Sequence, residues 1–298
     1  MNVLVTGANG LLGQKLVQLL QRDPGVHVIA TGKRPLSLTR GIFHPLDITD
    51  ERQVQDAMEQ HRPDAIIHTA AMTQVDACET DRENCWKTNV DAVGHLTRYA
   101  PRVCHFIHLS TDFIFDGSHG PLDELAQPNP VNFYGESKRA GEEVVQKSGL
   151  RWAILRTVLV YGVSEDMSRS NIVLWVKKSL EEGKQIQVVN DQWRTPTLAE
   201  DLAQACVLAL KKNTTGIFHI SGEEMMTPLD IARQTAQFFG LDASLIKPAD
   251  SSTFTQPARR PPKTGFVITK AKTQLGYQPH SFTQGLALIR DQLAKRQH

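Results

Sequence analysis

Short runs rich in β-branched residues alternate with helical patterns along the first half of the chain, and that order admits few folds. Strand-like runs at 2–6, 27–30, 65–69, 105–109 and 152–156 are separated by helical periodicities at 12–21, 51–61, 84–99 and about 137–147, and a further apolar strand pattern precedes Asp47. Strands that each hand over to a helix before the next strand build a parallel sheet covered by crossover helices. After Arg156 the pattern loosens into helices near 172–182 and 199–210, a strand at 216–220 and a Pro-rich stretch at 257–262. The predicted organisation is a first domain over 1–156 and a smaller, interleaved lobe over 157–298, with parts of 190–222 returning to the first domain.

The turn between the first strand and the first helix carries Gly7, Asn9, Gly10, Leu11, Leu12 and Gly13. At such a turn the backbone N–H groups and the helix N-terminus point at whatever lies above it, which suits a phosphate. Gly7 allows the tight turn, Gly10 admits a pyrophosphate, and Gly13 lets helix and strand pack closely. A glycine triplet also serves ordinary turns, so its position after a strand and before a helix is what gives it weight. The fold class is therefore α/β, a Rossmann-type doubly wound parallel sheet that binds a dinucleotide, with a substrate-binding lobe. The spacing of three and three resembles the short-chain dehydrogenase superfamily.

Discrimination between NAD and NADP falls to the end of the second strand, where a carboxylate normally holds the ribose 2′-hydroxyl. Here the segment reads Ala30-Thr31-Gly32-Lys33-Arg34, with no acid and two cations. Lys33 and Arg34 suit a 2′-phosphate, and NADPH (NADP⁺) is the predicted cofactor. The alternative for the pair is a solvated loop. Asp47 and Ile48 are placed beside the adenine, Asp47 having a plain turn as its second reading, and Thr49 or Asp50 can cap the next helix.

Tyr134 and Lys138 have the spacing that puts two side chains on one helix face, provided the helix has begun by Tyr134. An ammonium and an oxidised nicotinamide beside a phenol stabilise its phenolate and lower its pKa, making Tyr134 a proton donor for a carbonyl that receives hydride. Lys138 would also hold the nicotinamide ribose. Thr111 closes the run 105–109 at the carboxyl edge of the sheet and can meet Tyr134 there, donating to a developing alkoxide.

A net charge of +1, from 33 Lys and Arg against 32 Asp and Glu, offers no broad field for nucleic acid or anionic membrane. With no long apolar run and an N-terminus that opens directly into a strand, the expectation is a cytoplasmic enzyme with a small-molecule substrate. The cysteines Cys78, Cys85, Cys104 and Cys206 lack metal or redox spacing and read as buried thiols. His105 and His108 fall on opposite faces of a strand, so no metal site is predicted.

Residues 69–76, 110–117, 130–138, 190–192 with 196–197, and 257–261 together resemble the dTDP-4-dehydrorhamnose reductase family over nearly the whole chain. The resemblance implies NADPH-dependent reduction of dTDP-4-dehydro-L-rhamnose to dTDP-L-rhamnose, within dTDP-rhamnose biosynthesis. It carries Thr111, Tyr134 and Lys138 over as catalytic, and Gly7, Gly10, Gly13, Ala70, Ala71 and Lys138 as cofactor-binding. Thr73, Val75 and Asp76 then lie near the sugar or nicotinamide, and Thr111, Asp112 and Arg194 join the substrate site. The scaffold implies a homodimer. Leu159 stands where the family has Trp, Arg194 where it often has a small residue, and the run after Arg260 departs from its pattern. Phe113, where related dehydratases carry Glu, disfavours dehydration. The alternatives are another sugar-nucleotide reductase or epimerase, and a non-catalytic NADP-binding subunit resembling the methionine adenosyltransferase β subunit.

Overall fold

In the computed structural model, which describes residues 1–34, 42–165 and 170–296, the chain builds its sheet outward from the middle. The strands are β1 (Asn2–Thr6), β2 (His27–Gly32), β3 (Phe43–Pro45), β4 (Ala65–His68), β5 (His105–Thr111), β6 (Arg151–Thr157) and β10 (Gly216–Ile220). Their spatial order is β10-β6-β5-β4-β1-β2-β3, and every pairing is parallel. The order reverses between β1 and β4, where Thr6 and His68 stand in register and their side chains bond at 2.8 Å. Doubly wound sheets form their ligand crevice at such a switch point.

Helices cover both faces. On one side α1 (Leu11–Leu20) and α8 (Ala199–Lys211) enclose a core that includes Val3, Val5, Leu16, Ile107, Leu155 and Phe218. On the other, α2 (Glu51–His61), α5 (Ala92–Tyr99) and α6 (Phe133–Lys147) pack over Leu4, Ile29, Ile66, Phe106 and Ile154. All seven residues of β5 are buried, as a central strand covered on both faces requires. The strand at 216–220 is thus the seventh of this sheet, paired with β6.

The remaining elements pack beside this sheet. Strands β7 (Val160–Tyr161) and β9 (Thr197–Leu198) pair, as do β8 (Ile186–Val189) and β11 (Ile246–Ala249), while α7 (Ile172–Glu181), α9 (Pro228–Phe239) and α10 (Phe282–Ala294) enclose two further cores. Leu159 packs against both the sheet core and one of these.

Two predicted elements differ in detail. The helix expected at 84–99 is α4 (Arg82–Trp86) and α5 joined by a π-helical turn at Lys87–Asp91, with α3 (Val75–Thr80) ahead of them. Asn89 in that turn bonds Met72 N–H at 2.9 Å, Met72 O at 3.0 Å and Ser137 Oγ at 3.0 Å, so the extra residue in the turn coincides with a side chain drawn inward. Helix α6 starts at Phe133 rather than near 137, because Asn132 caps it by accepting the Gly135 N–H at 2.8 Å.

Candidate functional site

The glycine loop is built by close approach. Gly7 has φ +66°, and a Cβ there would lie 2.8 Å from the Ala70 backbone; one on Gly13 would lie 2.2 Å from the Gly7 oxygen. Loop, β4 end and α1 therefore lock together only if these positions carry no side chain. Gly10 is exposed and caps α1 without a side-chain hydrogen bond, leaving first-turn N–H groups turned toward the crevice. Leu11 and Leu12 open the helix, half-buried. Asn9 donates to the Arg34 carbonyl, and its buried Oδ1 has no partner among the described residues. Ala70 donates its N–H to Thr6 Oγ1 at 3.3 Å, with Ala71 next to it in the half-buried segment after β4.

At the end of β2, Lys33 pairs with Asp47 at 2.8 Å, and Arg34 is exposed. Asp47 also accepts from the Thr49 N–H and hydroxyl at 3.0 and 2.8 Å, so the turn reading of this residue is present alongside the ion pair. Asp50, one of the two candidates, caps α2, and Ile48 is buried.

Tyr134 and Lys138 lie one turn apart on α6, both buried, facing the end of β5. The helix comes close because Gly135 opposes Phe113: a Cβ would fall 2.1 Å from the Phe113 oxygen. The Thr111 hydroxyl acts on the Tyr134 phenol in the direction that favours its phenolate, and the Phe113 ring meets the Tyr134 ring edge-on at 5.9 Å. Lys138 Nζ donates to the Leu109 carbonyl at 2.7 Å and stands 3.5 Å from His108 Nε2. Burial lowers the Lys138 ammonium to about 8, against the opposing charge of Glu142. Burial raises the Tyr134 phenol above its usual value. Within the protein's own residues desolvation therefore outweighs the lowering expected of this phenol from a neighbouring ammonium.

Thr111 directs its hydroxyl to Asp112 Oδ1 at 3.1 Å and accepts the Phe113 N–H at 3.2 Å. The expectation that it donates outward meets this competing acceptor. Asp112 is buried, contacts Thr264, and lies 3.8 Å from Arg194 Nε. Arg194 is itself only 4% exposed, and it donates to the carbonyls of Trp193 and Pro261 at 2.7 Å each, so it stands as an internal strut between two loops. Thr73 is exposed and Val75 half-buried at the start of α3. Asp76 is held by Arg260 through two bonds of 2.6 Å and by the Ala258 N–H at 3.1 Å.

Four residues of this neighbourhood are absent from the sequence-predicted set. Arg260 sat in a segment used only for resemblance, although a doubled arginine after Pro257 and Ala258 was a visible charge signal. Asn89 is a polar residue on an otherwise apolar helical face. Glu142 and Arg156 form a buried bidentate pair at 2.9 and 2.7 Å, joining α6 to β6 one turn beyond Lys138. Nothing in the local sequence pairs these two.

Comparison with known proteins agrees with this geometry. The profile of the RmlD substrate binding domain matches residues 1–295. The chain is 32% identical over 292 residues to a probable low-salt glycan biosynthesis reductase, Agl14, of Haloferax volcanii, covering 97% of each chain. It is 33% identical over 277 residues to methionine adenosyltransferase 2 subunit beta of Bos taurus, covering 91% of this chain and 81% of that one. The crystal structure of a dTDP-4-dehydrorhamnose reductase from Bacillus anthracis in complex with NADP superimposes with a TM-score of 0.83 at 28% identity, covering 98% of this chain and 99% of that one. With a profile match over almost its whole length and the predicted doubly wound parallel sheet in place, the chain belongs to the RmlD substrate-binding-domain family, that of the dTDP-4-dehydrorhamnose reductases.

Proposed function

We propose that the protein is an NADPH-dependent reductase of the 4-keto group of a nucleotide-linked 6-deoxyhexose, acting on dTDP-4-dehydro-L-rhamnose to give dTDP-L-rhamnose. The observation that carries the reading is the meeting of Tyr134, Lys138 and Thr111 at the carboxyl end of β5, across the switch point from an uncapped helix N-terminus. The cofactor fit rests on the glycine cradle that a Cβ would fill, on Asn9 Oδ1, which has no partner among the described residues, and on the cations Lys33 and Arg34 where an NAD site carries an acid. Further support comes from the NADP named in the Bacillus anthracis complex.

NADPH, when bound, supplies the hydride for C4. Tyr134 holds its proton firmly, because burial disfavours the phenolate, and gives it to the carbonyl oxygen as negative charge develops there. Lys138, a cation at neutral pH, stabilises the phenolate left behind and is fixed in place by the Leu109 carbonyl. Thr111 favours the same phenolate, opposing the effect of burial. Thr73, Val75 and Asp76, around the start of α3, are the residues proposed to meet the sugar, with Asp112 acting behind Thr111.

The test is to supply enzymatically made dTDP-4-dehydro-6-deoxy sugars and follow NADPH absorbance, then repeat with UDP- and GDP-linked analogues. Turnover with the dTDP sugar is the expected result. Tight NADPH binding with none of these sugars reduced overturns the reading. The likeness to a methionine adenosyltransferase subunit supports a second one, a non-catalytic NADP-binding partner, which a pull-down with a methionine adenosyltransferase catalytic subunit then checks.

A further inference from the structure

Two segments far apart in the chain, at Arg194 and at Thr264, meet at one carboxylate. Asp112 is 3% exposed. Its Oδ2 contacts the Thr264 hydroxyl and lies 3.8 Å from Arg194 Nε, while its Oδ1 accepts the Thr111 hydroxyl at 3.1 Å. Thr111 has one proton to donate. A carboxylate can only accept, so an ionised Asp112 takes that proton and leaves the Thr111 oxygen as an acceptor for the Phe113 N–H. A protonated Asp112 could donate to Thr111 instead, and the Thr111 hydroxyl would then be released to turn elsewhere. The charge of Asp112 therefore decides which way the Thr111 hydroxyl points.

Burial pushes the Asp112 carboxyl above its ordinary value, and the Arg194 guanidinium opposes this most strongly. The charged or titratable groups that face it are Arg194 and Tyr134, and Arg260 acts on Arg194 from the 257–265 segment. Of these only Arg194 is a cation beside the carboxylate. Its guanidinium is fixed by the carbonyls of Trp193 and Pro261 and lies over the Phe113 ring at 5.6 Å. An arginine stays charged throughout the accessible pH range.

We propose that Arg194 is a positioning residue that keeps Asp112 a carboxylate, so that Asp112 accepts the Thr111 hydroxyl and fixes its direction beside Tyr134. The functional half of this rests on Tyr134 being the proton donor, whereas the charge of Asp112 is readable without any substrate.

The experiment uses the full chain labelled at the aspartate carboxyl carbon with carbon-13. The Asp112 resonance is assigned by its disappearance in the double variant Asp112→Asn with Arg194→Met, which removes both charges together. In the unsubstituted protein Asp112 is expected to be ionised at neutral pH. Arg194→Met should shift its ionisation constant by about tenfold or more toward the protonated form, and Arg194→Lys, which keeps the charge, should leave most of it in place. A protonated Asp112 in the unsubstituted protein overturns the proposal even if Arg194→Met does not fold. So does an unchanged midpoint in a folded Arg194→Met variant. In the reduction assay that variant should lose about tenfold in kcat at neutral pH and recover as pH rises through the new midpoint, with KM nearly unchanged. A flat pH profile overturns the functional half. If no keto sugar is reduced by the unsubstituted protein, the reductase reading fails, while the carboxyl titration still decides the role of Arg194.

Discussion

Gly135 faces Phe113 across a gap that no side chain can occupy: a Cβ on Gly135 would lie 2.1 Å from the Phe113 carbonyl oxygen. This contact sets how closely α6, and with it Tyr134, approaches Thr111. Gly135→Ala must push the helix away from the end of β5, and a displacement of about 1 Å at a reacting group costs on the order of 10²-fold in rate. Gly94 in α5 is the control, since a Cβ there meets nothing within 4 Å. Gly94→Ala should leave turnover intact and raise stability by about 0.4–1 kcal/mol. Equal effects of the two substitutions on kcat would refute this account of the helix position.

Tyr134→Phe removes one oxygen from a buried ring whose packing against Phe113 remains. Turnover of the keto sugar should fall by about 10²-fold or more, the scale of a lost general acid, with NADPH affinity within about twofold. Stopped-flow hydride transfer together with fluorescence titration separates the two quantities. Near-normal turnover would remove Tyr134 from the reaction.

Lys138 links stability to pH with a definite sign. Its pKa in the fold is lowered to about 8, below the unfolded value, so between these pH values the unfolded chain binds a proton that the native state does not. The cost of burying the ammonium is therefore fully present below about pH 8 and is relieved as pH rises toward the unfolded pKa of about 10.4. Relative to Lys138→Met, the unsubstituted protein should gain stability across that window. Urea unfolding of both at several pH values checks it, and a difference that stays flat or reverses contradicts it.

Replacing Lys33 and Arg34 together by Ala should weaken NADPH binding by about tenfold or more while changing NADH binding little, because charge-assisted bonds to a phosphate contribute about 1.5–3 kcal/mol each. Lys33 is already paired with Asp47 at 2.8 Å, so Asp47→Asn should free it and tighten NADPH. Parallel titrations with both cofactors decide the matter: equal losses for the two reject the 2′-phosphate role.

Glu142 and Arg156 are each about 3% exposed in their side chains and bond through both carboxylate oxygens. Glu142→Gln leaves a buried guanidinium without its anion and should destabilise the fold by about 3–5 kcal/mol. Replacing both by apolar residues of similar size should cost far less, because no lone charge remains. Denaturant midpoints of the single and double variants measure this, and comparable losses would show that packing rather than charge dominates there.

The sequence by itself determined what depends on near neighbours. The alternation of periods places β1, α1, α2, β4, β5 and β10 almost to the residue, since each period reports which side of one element is buried. The glycine loop and the spacing of Tyr134 and Lys138 are legible for the same reason: each is one turn of chain whose geometry is local. Tertiary structure alone decided which side chains meet across long separations. Asp76 finds Arg260 across 184 residues and Asp112 finds Thr264 across 152. Those partners follow from strand order and from the 257–265 segment crossing the end of β5, which no periodicity encodes. Arg194 shows the consequence: from the sequence it is a cation available to a substrate, whereas the fold buries it, gives its donors to backbone carbonyls and sets its charge beside Asp112. Burial and pairing depend on what the rest of the chain brings alongside, so only the assembled fold fixes the charge state of the site.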